Sequence, residues 1–215
     1  MTQSIIITGT DTDCGKTVFA AALTAALDGC YWKPIQCGLG AETDSQIVRR
    51  LGGLSAERVL PEAYLLETPA SPHYAAERQG IEIDVARLAV PRVSRPLIIE
   101  GAGGLAVPIR RDLLQIDLFA RWKLPIVLCA STRLGTINHS LLSIEALKRR
   151  AIPILGVAFV GDGNADSEKT ICTIGGVKRL GHLPRLDPLN SESLRAAFTD
   201  NFSVGDLLGL RGAGP

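Results

Sequence analysis

The sequence is poor in several features that would mark particular classes of protein. Only 5% of its 215 residues are aromatic, and its formal net charge is +1. A near-neutral chain has no strong electrostatic attraction to nucleic acid or to an acidic membrane surface, so we expect neither as a partner. No apolar run approaches the length that crosses a bilayer. These absences favour a soluble protein that acts on small molecules.

Cysteine is also scarce and irregularly placed. The chain has five cysteines, an odd number, and none forms a C-x-x-C pair, which argues against a zinc site and a disulfide framework. Cys14 lies within a glycine-bounded loop, and Cys129 lies in an apolar run. The first four residues lead directly into an apolar run and lack the basic region of a signal peptide. We therefore expect a cytoplasmic location.

Apolar runs alternate with helical periods along the chain. The runs at 4–8, 125–130 and 154–160 are typical of strands buried on both faces, and residues 137–147 have the clearest amphipathic helical period. This alternation predicts an α/β fold with a mostly parallel sheet and helices on both faces. Because no stretch has the composition of a linker, we expect one α/β domain over residues 1–215.

Other segments predict less regular structure. We expect a strand over Cys30–Ile35 that Pro34 ends, a loop over 36–42, an irregular stretch over 54–72 and a helix over 113–122. Ligands of parallel α/β proteins bind at the carboxyl ends of the strands. The residues that directly follow each expected strand are therefore candidates for function.

The segment Gly9–Thr17 has the features of a phosphate-binding loop. It follows a run of isoleucines and opens a helical period, so its backbone N–H groups and the helix dipole would favour an anion. We expect Lys16 to bridge the β- and γ-phosphates and Thr17 to offer its hydroxyl to Mg²⁺. Five residues separate its first two glycines, whereas the common pattern has four. The chain is expected to bind a nucleoside triphosphate.

Two acidic residues are candidate metal ligands. Glu100 ends an apolar run and precedes Gly101–Gly104, and phosphate-loop enzymes place an acid at such a position to hold Mg²⁺. The alternative is a solvent-facing strand end, but the glycines allow backbone to approach a ligand closely and favour the metal. Asp44 is less clear, because Thr43 and Gln46 fit a helix capping box that explains it structurally.

Two further segments are open between a structural and a functional interpretation. Lys33 lies at the end of the second expected strand, where it either is solvated or contacts a substrate. The run Gly135–His139 opens the amphipathic helix, and its free N–H groups could bind a carboxylate. Capping by Thr136 or Asn138 explains the same run from spacing alone.

The chain resembles the dethiobiotin synthetases from residue 5 to about residue 140. The segments that carry the resemblance, in family order, are Gly9–Thr17, Lys33-Pro34, Ser71–His73, Glu100–Gly104 and Gly135–His139. The resemblance implies a ligase that uses Mg²⁺ and ATP or another nucleoside triphosphate. Such a ligase closes the ureido ring of dethiobiotin from 7,8-diaminopelargonic acid and CO₂, through a carbamate and a carbamic–phosphoric anhydride.

The resemblance also implies roles for individual residues. Lys16 and Lys33 would be catalytic, with Lys33 serving the carbamate. The implied magnesium ligands are Thr17, Asp44 and Glu100. The implied nucleotide-binding residues are Asp13, Cys14, Gly15, Lys16, Thr17, Val18, Glu100, Gly161, Leu183 and Pro184. The implied substrate-binding residues are Thr12, Lys33, Cys37, Gly103, Gly135, Thr136, Ile137 and Asn138. In this family the other subunit supplies the segment at 135–138, which implies a homodimer with shared sites.

The chain departs from the family pattern at two positions. Cys37 stands where relatives carry Ser or Thr, and a thiol is the weaker hydrogen-bond donor. Gly161 precedes Asp162 where the family often has an asparagine that reads the adenine edge. The preferred base is therefore open.

Two other functions would use the same fold. A nucleotide-dependent switch or partitioning ATPase commonly carries a lysine early in its phosphate loop, but this chain has Thr10, Asp11 and Thr12 there. A small-molecule kinase would not need a lysine that handles CO₂. The ligase is the leading interpretation.

Overall fold

A parallel sheet lies at the centre of the protein. The computed structural model describes residues 3–40 and 42–208. The strands are β1 (Ser4–Gly9), β2 (Cys30–Trp32), β3 (Ile35–Cys37), β4 (Val59–Leu60), β5 (Tyr64–Leu66), β6 (Leu97–Gly104), β7 (Pro108–Arg110), β8 (Leu113–Leu114), β9 (Ile126–Ser131), β10 (Ile154–Val160) and β11 (Arg179–Leu183). The helices are α1 (Lys16–Ala26), α2 (Asp44–Gly52), α3 (Pro72–Arg78), α4 (Gln115–Trp122), α5 (Thr136–Arg149), α6 (Ala165–Gly175), α7 (Ser191–Asn201) and α8 (Val204–Leu207). Short 3₁₀ turns cover Ala56–Arg58 and Val85–Leu88.

The order of the strands places β1 in the middle of the main sheet. In the described chain this sheet has seven strands in the order β11-β10-β9-β1-β6-β2-β4, and the recorded pairings are parallel. Because β1 pairs with β6 on one side and β9 on the other, the loop after β1 lies where the strand order reverses. Ligands of α/β sheets bind at such a switch point.

The isoleucines of β1 explain why the sheet is covered on both faces. Ile5 and Ile7 pack into the core formed with α1, α2 and α7, whereas Ile6 packs on the opposite face with residues of α4 and α5. All three are fully buried. A continuous apolar strand is the pattern that a sheet with helices on both faces requires, so the expected fold class is confirmed.

The start of α2 follows its sequence signal. Thr43 Oγ1 accepts a hydrogen bond from the backbone N–H of Gln46 at 3.3 Å, and Gln46 Oε1 accepts from the N–H of Thr43 at 2.8 Å. Both bonds of the capping box are therefore present. Asp44 is the first residue of the helix, where its carboxylate complements the dipole.

The expected strand is confirmed over Cys30–Trp32, but its extension to Ile35 is wrong. β2 ends at Trp32, and β3 begins at Ile35 and pairs with β5 in a separate two-stranded sheet. Proline cannot donate to a ladder, and Pro34 instead accepts hydrogen bonds at its carbonyl from the N–H groups of Ala63 and Tyr64. Lys33 therefore lies at a break between two sheets.

Other expected boundaries also need correction. The loop at 36–42 is wrong at its start because β3 continues through Cys37, and the irregular stretch at 54–72 contains β4 and β5. The helix expected at 113–122 begins only at Gln115, since Leu113–Leu114 pairs with β7. Strands of two or three residues are too short to show a period of two.

The expected single domain over 1–215 includes residues 1, 2, 41 and 209–215, which lie outside the described residues. Within 3–40 and 42–208, no helix has both the length and the apolar composition needed to cross a membrane.

Candidate active site

The loop between β1 and α1 has the geometry of an anion-binding site. Asp13 and Gly15 have positive φ angles of 54° and 89°, and no described side chain caps the start of α1. The first N–H groups of that helix are therefore available to an anion. Lys16 Nζ donates to the carbonyl oxygen of Asp11 at 2.8 Å, which folds the side chain back over the loop. A Cβ at Gly9 would collide with Cys14 Sγ, so the first glycine is required for close packing.

Four side chains from different parts of the fold form a closed set of polar contacts, which we call the carboxylate ring: Thr17, Lys33, Asp44 and Glu100. Thr17 Oγ1 lies 2.9 Å from Glu100 Oε1 and 3.2 Å from Asp44 Oδ1. Lys33 Nζ lies 2.7 Å from Asp44 Oδ2 and 3.1 Å from Glu100 Oε1. The hydroxyl and the ammonium thus each bridge the two carboxylates.

Burial and charge act in opposite directions on the pKa values of the ring. Burial by itself would lower the pKa of Lys33, but the charges of Glu100 and Asp44 outweigh it and raise that pKa. Burial would raise the pKa of Asp44, but the Lys33 ammonium and the hydrogen bonds from Lys33 and Thr17 lower it. The lysine therefore remains an ammonium and Asp44 a carboxylate at neutral pH.

The donor atoms of the ring suit a magnesium ion. Thr17 contributes a hydroxyl, and Asp44 and Glu100 contribute carboxylates, which are the hard oxygen ligands that Mg²⁺ prefers. The described residues contain no cluster of three or more His, Cys, Asp or Glu side chains placed to hold a metal. Two carboxylates and one hydroxyl, from Asp44, Glu100 and Thr17, would be the protein groups that hold the ion.

Tyr31 is a part of the site that was missed at the sequence level. Its hydroxyl donates to Glu100 Oε2 at 2.8 Å, and burial, followed by the charge of Glu100, raises its pKa well above the usual range. Tyr31 lies in β2 and Lys33 directly follows it, and both contact Glu100. Their spacing of two residues, which places side chains on one face of an extended chain, is a signal that the sequence contains. Gln36 was also missed, and its Oε1 accepts the N–H of Asp44 at 3.2 Å.

The glycine run after Glu100 is fixed by a side chain from α4. Gln115 Oε1 accepts the N–H of Ala102 at 2.6 Å, and its Nε2 donates to the carbonyl oxygen of Gly104 at 2.9 Å. Gly103 has a φ of 61°, and a Cβ there would lie 3.4 Å from Thr12 Oγ1. Two residues expected to bind substrate, Thr12 and Gly103, are therefore neighbours.

A cavity of about 510 Å³, which we call the lateral cavity, opens beside the phosphate loop. It is lined by Asp13, Cys14, Gly15, Val18, Ser131, Thr132, Arg133, Val160, Gly161, Asp162, Leu183, Pro184, Arg185, Leu186, Asp187 and Leu189. Seven of these residues are expected to bind nucleotide, so the fold brings together the phosphate loop and the ends of β10 and β11. The arginines and Asp187 were not expected from the sequence.

The backbone of Gly161 is already engaged in this cavity. Its N–H donates to the carbonyl oxygen of Leu183 at 3.0 Å, and its own carbonyl oxygen accepts from His182 Nε2 at 2.7 Å. A Cβ at Gly161 would lie 2.8 Å from Thr132 Oγ1, and the φ angle is 127°. The chain at this point is therefore adapted to glycine.

Cys37 lies close enough to the carboxylate ring for the charges of Lys33 and Asp44 to affect the pKa of its thiol. It is partly buried on β3, and burial raises the pKa of its thiol to about 11. The Lys33 ammonium lowers that pKa in part, while the charge of Asp44 adds to the rise. Cys37 is therefore a neutral thiol at physiological pH and offers only a weak donor or acceptor.

The segment expected to bind a substrate carboxylate lies at the start of α5. Gly135 and Asn138 are exposed, whereas Thr136 is buried with its hydroxyl 3.5 Å from Ser140 Oγ. The hydrogen bonds recorded for this segment join it to its own neighbourhood, such as the N–H of Thr136 to Arg133. Gly135, Thr136, Ile137 and Asn138 are therefore not joined by described contacts to the carboxylate ring of the same chain.

Solved structures resemble the chain in fold. The cell division ATPase MinD from Pyrococcus furiosus aligns with a TM-score of 0.57 and 14% identity, over 98% of this chain and all of the other. A putative plasmid partition protein from Borrelia burgdorferi aligns with a TM-score of 0.54 and 12% identity, over 95% and 92% of the two chains. At these identities the likeness establishes the phosphate-loop ATPase fold alone.

Sequence relatives are much closer. A family model described as an AAA domain matches residues 3–193. The ATP-dependent dethiobiotin synthetase BioD of Rhodopseudomonas palustris is 62% identical over 209 residues, which are 97% of this chain and 99% of the relative. The protein of the same name from Nitrobacter hamburgensis is 59% identical over 208 residues, covering 97% and 98% of the two chains. The chain therefore belongs to the ATP-dependent dethiobiotin synthetase family.

Proposed function

We propose that this chain makes dethiobiotin in biotin biosynthesis, as the name of its relatives states for them. The observation that carries the proposal is the carboxylate ring beside the phosphate loop, in which the buried Lys33 ammonium bridges the two carboxylates. A site that joins a carbamate to a phosphate must bring two anions together, and it needs fixed positive charge between them. Lys16 and Lys33 are placed to supply that charge.

The reaction has three steps that balance. One amine of 7,8-diaminopelargonic acid attacks CO₂, forms an N–C bond and loses a proton, which gives a carbamate. A carbamate oxygen then attacks the γ-phosphorus of the triphosphate, and the nucleoside diphosphate leaves. The second amine attacks the carbonyl carbon of the mixed anhydride, expels phosphate with loss of a proton, and closes the ureido ring.

The phosphate side of the site belongs to the loop and the ring. The N–H groups at the start of α1 and the Lys16 ammonium bind the triphosphate and hold its γ-phosphate in line for attack. Thr17, Asp44 and Glu100 would hold the magnesium ion, which, when bound, neutralises charge on the phosphates. Asp13, Cys14, Gly15, Val18, Gly161, Leu183 and Pro184 line the lateral cavity, where the nucleoside would lie.

The substrate side of the site is served by different residues. Lys33 would bind the carbamate oxygens and stabilise the charge that develops as they attack phosphorus. Thr12, Gly103 and Cys37 would line the approach of the diamine, and Thr12 Oγ1 lies 3.4 Å from the position that a Cβ on Gly103 would take. The partly buried, neutral thiol of Cys37 would contribute packing rather than a strong hydrogen bond.

We further propose a homodimer in which the segment at 135–138 binds the substrate carboxylate of the partner subunit. Gly135 and Asn138 are exposed at the N-terminus of α5, where N–H groups favour an anion. Two large apolar side chains nearby, Leu134 and Leu142, are 107% and 57% exposed. An apolar surface beside a helix terminus suits contact with a second copy. Sedimentation of the protein would give a dimer, and Leu134→Glu would shift it towards monomer.

The location and the alternative functions follow from the same features. A cytoplasmic enzyme fits a chain whose described cysteines are all free. A switch or partitioning ATPase shares the fold, but the early loop positions that would hold its lysine are Thr10, Asp11 and Thr12. The ligase also accounts for Lys33, which a simple ATPase would not require.

Incorporation of labelled carbon tests the proposal. The protein is incubated with ¹⁴C-bicarbonate, diaminopelargonate, Mg²⁺ and ATP, and acid-stable radioactivity is measured. We expect acid-stable product that requires all four components and co-migrates with dethiobiotin. Parallel reactions with CTP and GTP measure base preference. Loss of all label on acidification would contradict the ligase, since an unclosed carbamate releases CO₂.

A further inference from the structure

The two carboxylates that would hold Mg²⁺ already face a positive charge of the chain itself. Lys33 Nζ is 2.7 Å from Asp44 Oδ2 and 3.1 Å from Glu100 Oε1. Thr17, the third expected metal ligand, contacts the same two carboxylates through its hydroxyl. Positive charges a few ångströms apart repel strongly in a buried site. The ammonium and a divalent ion therefore cannot both keep the full contact of this pair.

The ammonium of Lys33 also has no donor left in this arrangement. It has three N–H groups, and three oxygens lie within hydrogen-bond distance: Asp44 Oδ2, Glu100 Oε1 and the carbonyl oxygen of Gly101 at 3.1 Å. The side chain is only 5% exposed. For Lys33 to bind a carbamate, which is the role it has in the proposed function, it must release at least one of these oxygens.

The ring is more open on one side than on the other. The side chain of Asp44 is 26% exposed, whereas that of Glu100 is 1% exposed. Glu100 is further held by the Tyr31 hydroxyl at 2.8 Å on its second oxygen. A hydrated ion would therefore reach the ring from the side of Asp44, and the Asp44–Lys33 contact would be the first to exchange.

We propose that Lys33 is a built-in counter-cation that competes with Mg²⁺ for Asp44 and Glu100. Entry of the metal displaces the ammonium from the carboxylates and frees its donors for the substrate side. The metal then has to arrive before the carbamate is bound productively. The competition itself depends only on the carboxylate ring. The order of binding, with the metal before the carbamate, rests on the proposed function.

Metal binding to the nucleotide-free protein tests the competition without any measurement of activity. Mn²⁺, which shares the oxygen ligands of Mg²⁺, is titrated and its free concentration is read by electron paramagnetic resonance. Lys33→Gln and Lys33→Met remove the charge and should tighten Mn²⁺ binding by about tenfold or more. Lys33→Arg keeps the charge and should bind as weakly as the wild type. Lys169→Gln, an exposed lysine of α6, is the matched control and should change nothing.

Either of two results would overturn the proposal. The first is that folded Lys33→Gln and Lys33→Met bind Mn²⁺ no more tightly than the wild type. The second concerns the unaltered protein, in case the variants do not fold: the ¹⁵N signal of the Lys33 ammonium should shift on saturation with Mg²⁺ and MgADP, and an unchanged signal would contradict displacement. If Mn²⁺ binding tightens and the ¹⁵N signal shifts as expected but no dethiobiotin forms, the proposed reaction fails while the competition stands.

Discussion

The carboxylate ring and the lateral cavity lie on either side of the phosphate loop, but they are built in different ways. In the ring, each polar side chain has at least two polar contacts with other members or with Tyr31. In the lateral cavity, Gly161 makes its hydrogen bonds through its backbone. The ion pair there, Arg185 Nε to Asp162 Oδ2 at 3.3 Å, has both side chains exposed. One region is fixed by charged side chains, and the other by the course of the chain.

This difference predicts where substitution matters. Buried charges that lose a partner are costly, because the remaining charge cannot return to water. An exposed pair contributes little, since solvent and salt screen it. We therefore expect large effects on turnover from the loop and the ring, and small ones from the side chains of the cavity.

The largest effect is expected at Lys16. Lys16→Ala removes the ammonium that we propose binds the phosphates, and turnover should fall by about 10³-fold or more, because that charge would stabilise the transferred phosphoryl group. Steady-state release of phosphate measures the change. Lys169→Ala, at an exposed position of α6, is the control. Near-normal turnover of the Lys16→Ala enzyme would exclude Lys16 from the mechanism.

The second largest effect on turnover is expected at Lys33. Lys33→Ala should lower kcat by about 10²-fold while nucleotide affinity is retained or tightened, because in the proposed function the lysine binds the carbamate and not the triphosphate. Equilibrium binding of ADP and steady-state kinetics separate the two effects. Normal ring closure by the variant would exclude Lys33 from catalysis, and a matched loss of ADP binding would move it to the nucleotide side.

A smaller effect is expected at Tyr31, which acts through Glu100. Tyr31→Phe keeps the aromatic side chain but removes its hydrogen bond to the Glu100 carboxylate. A hydrogen bond to a charged group contributes about 1.5–3 kcal/mol to folding stability. The Mg²⁺ concentration that gives half-maximal velocity should rise by roughly a few fold to tenfold, with a smaller change in kcat. A variant with lower stability but an unchanged magnesium requirement would show that Tyr31 supports packing only.

The smallest effect is expected in the lateral cavity. Arg185→Ala breaks the exposed contact with Asp162 and should change kcat/KM for ATP by less than about twofold. Kinetics with ATP at two salt concentrations checks this value. A loss comparable to that of Lys33→Ala would mean that side chains, rather than backbone, determine how the cavity binds its ligand.

Local signals were sufficient for the main features of the fold. The isoleucine strand, the loop at Gly9–Thr17 and the capping box at Thr43 are all encoded in short stretches, and the structure has each of them. Asp44 shows why a local signal is incomplete. It is both the first residue of a capped helix and a member of the carboxylate ring, and only the second role depends on the rest of the chain.

The features that the sequence did not predict depend on distant contacts. Tyr31 and Glu100 are 69 positions apart, so no spacing rule connects them. Gln115, the first residue of α4, contacts the glycine run after Glu100, and no local pattern around Gln115 predicts that contact. Pro34 predicts the end of a strand, but the sequence does not predict the pairing of β3 with β5, because a three-residue strand is stabilised mainly by its partner strand.

The claim that this chain is a ligase is tested most directly by the coupling between triphosphate cleavage and closure of the ureido ring. Phosphate release is measured with ATP and Mg²⁺, with and without diaminopelargonate and bicarbonate, while dethiobiotin is quantified in the same samples. We predict that phosphate release depends on the diamine and that one phosphate appears for each dethiobiotin. Equal phosphate release without the diamine would contradict the ligase and favour an uncoupled ATPase.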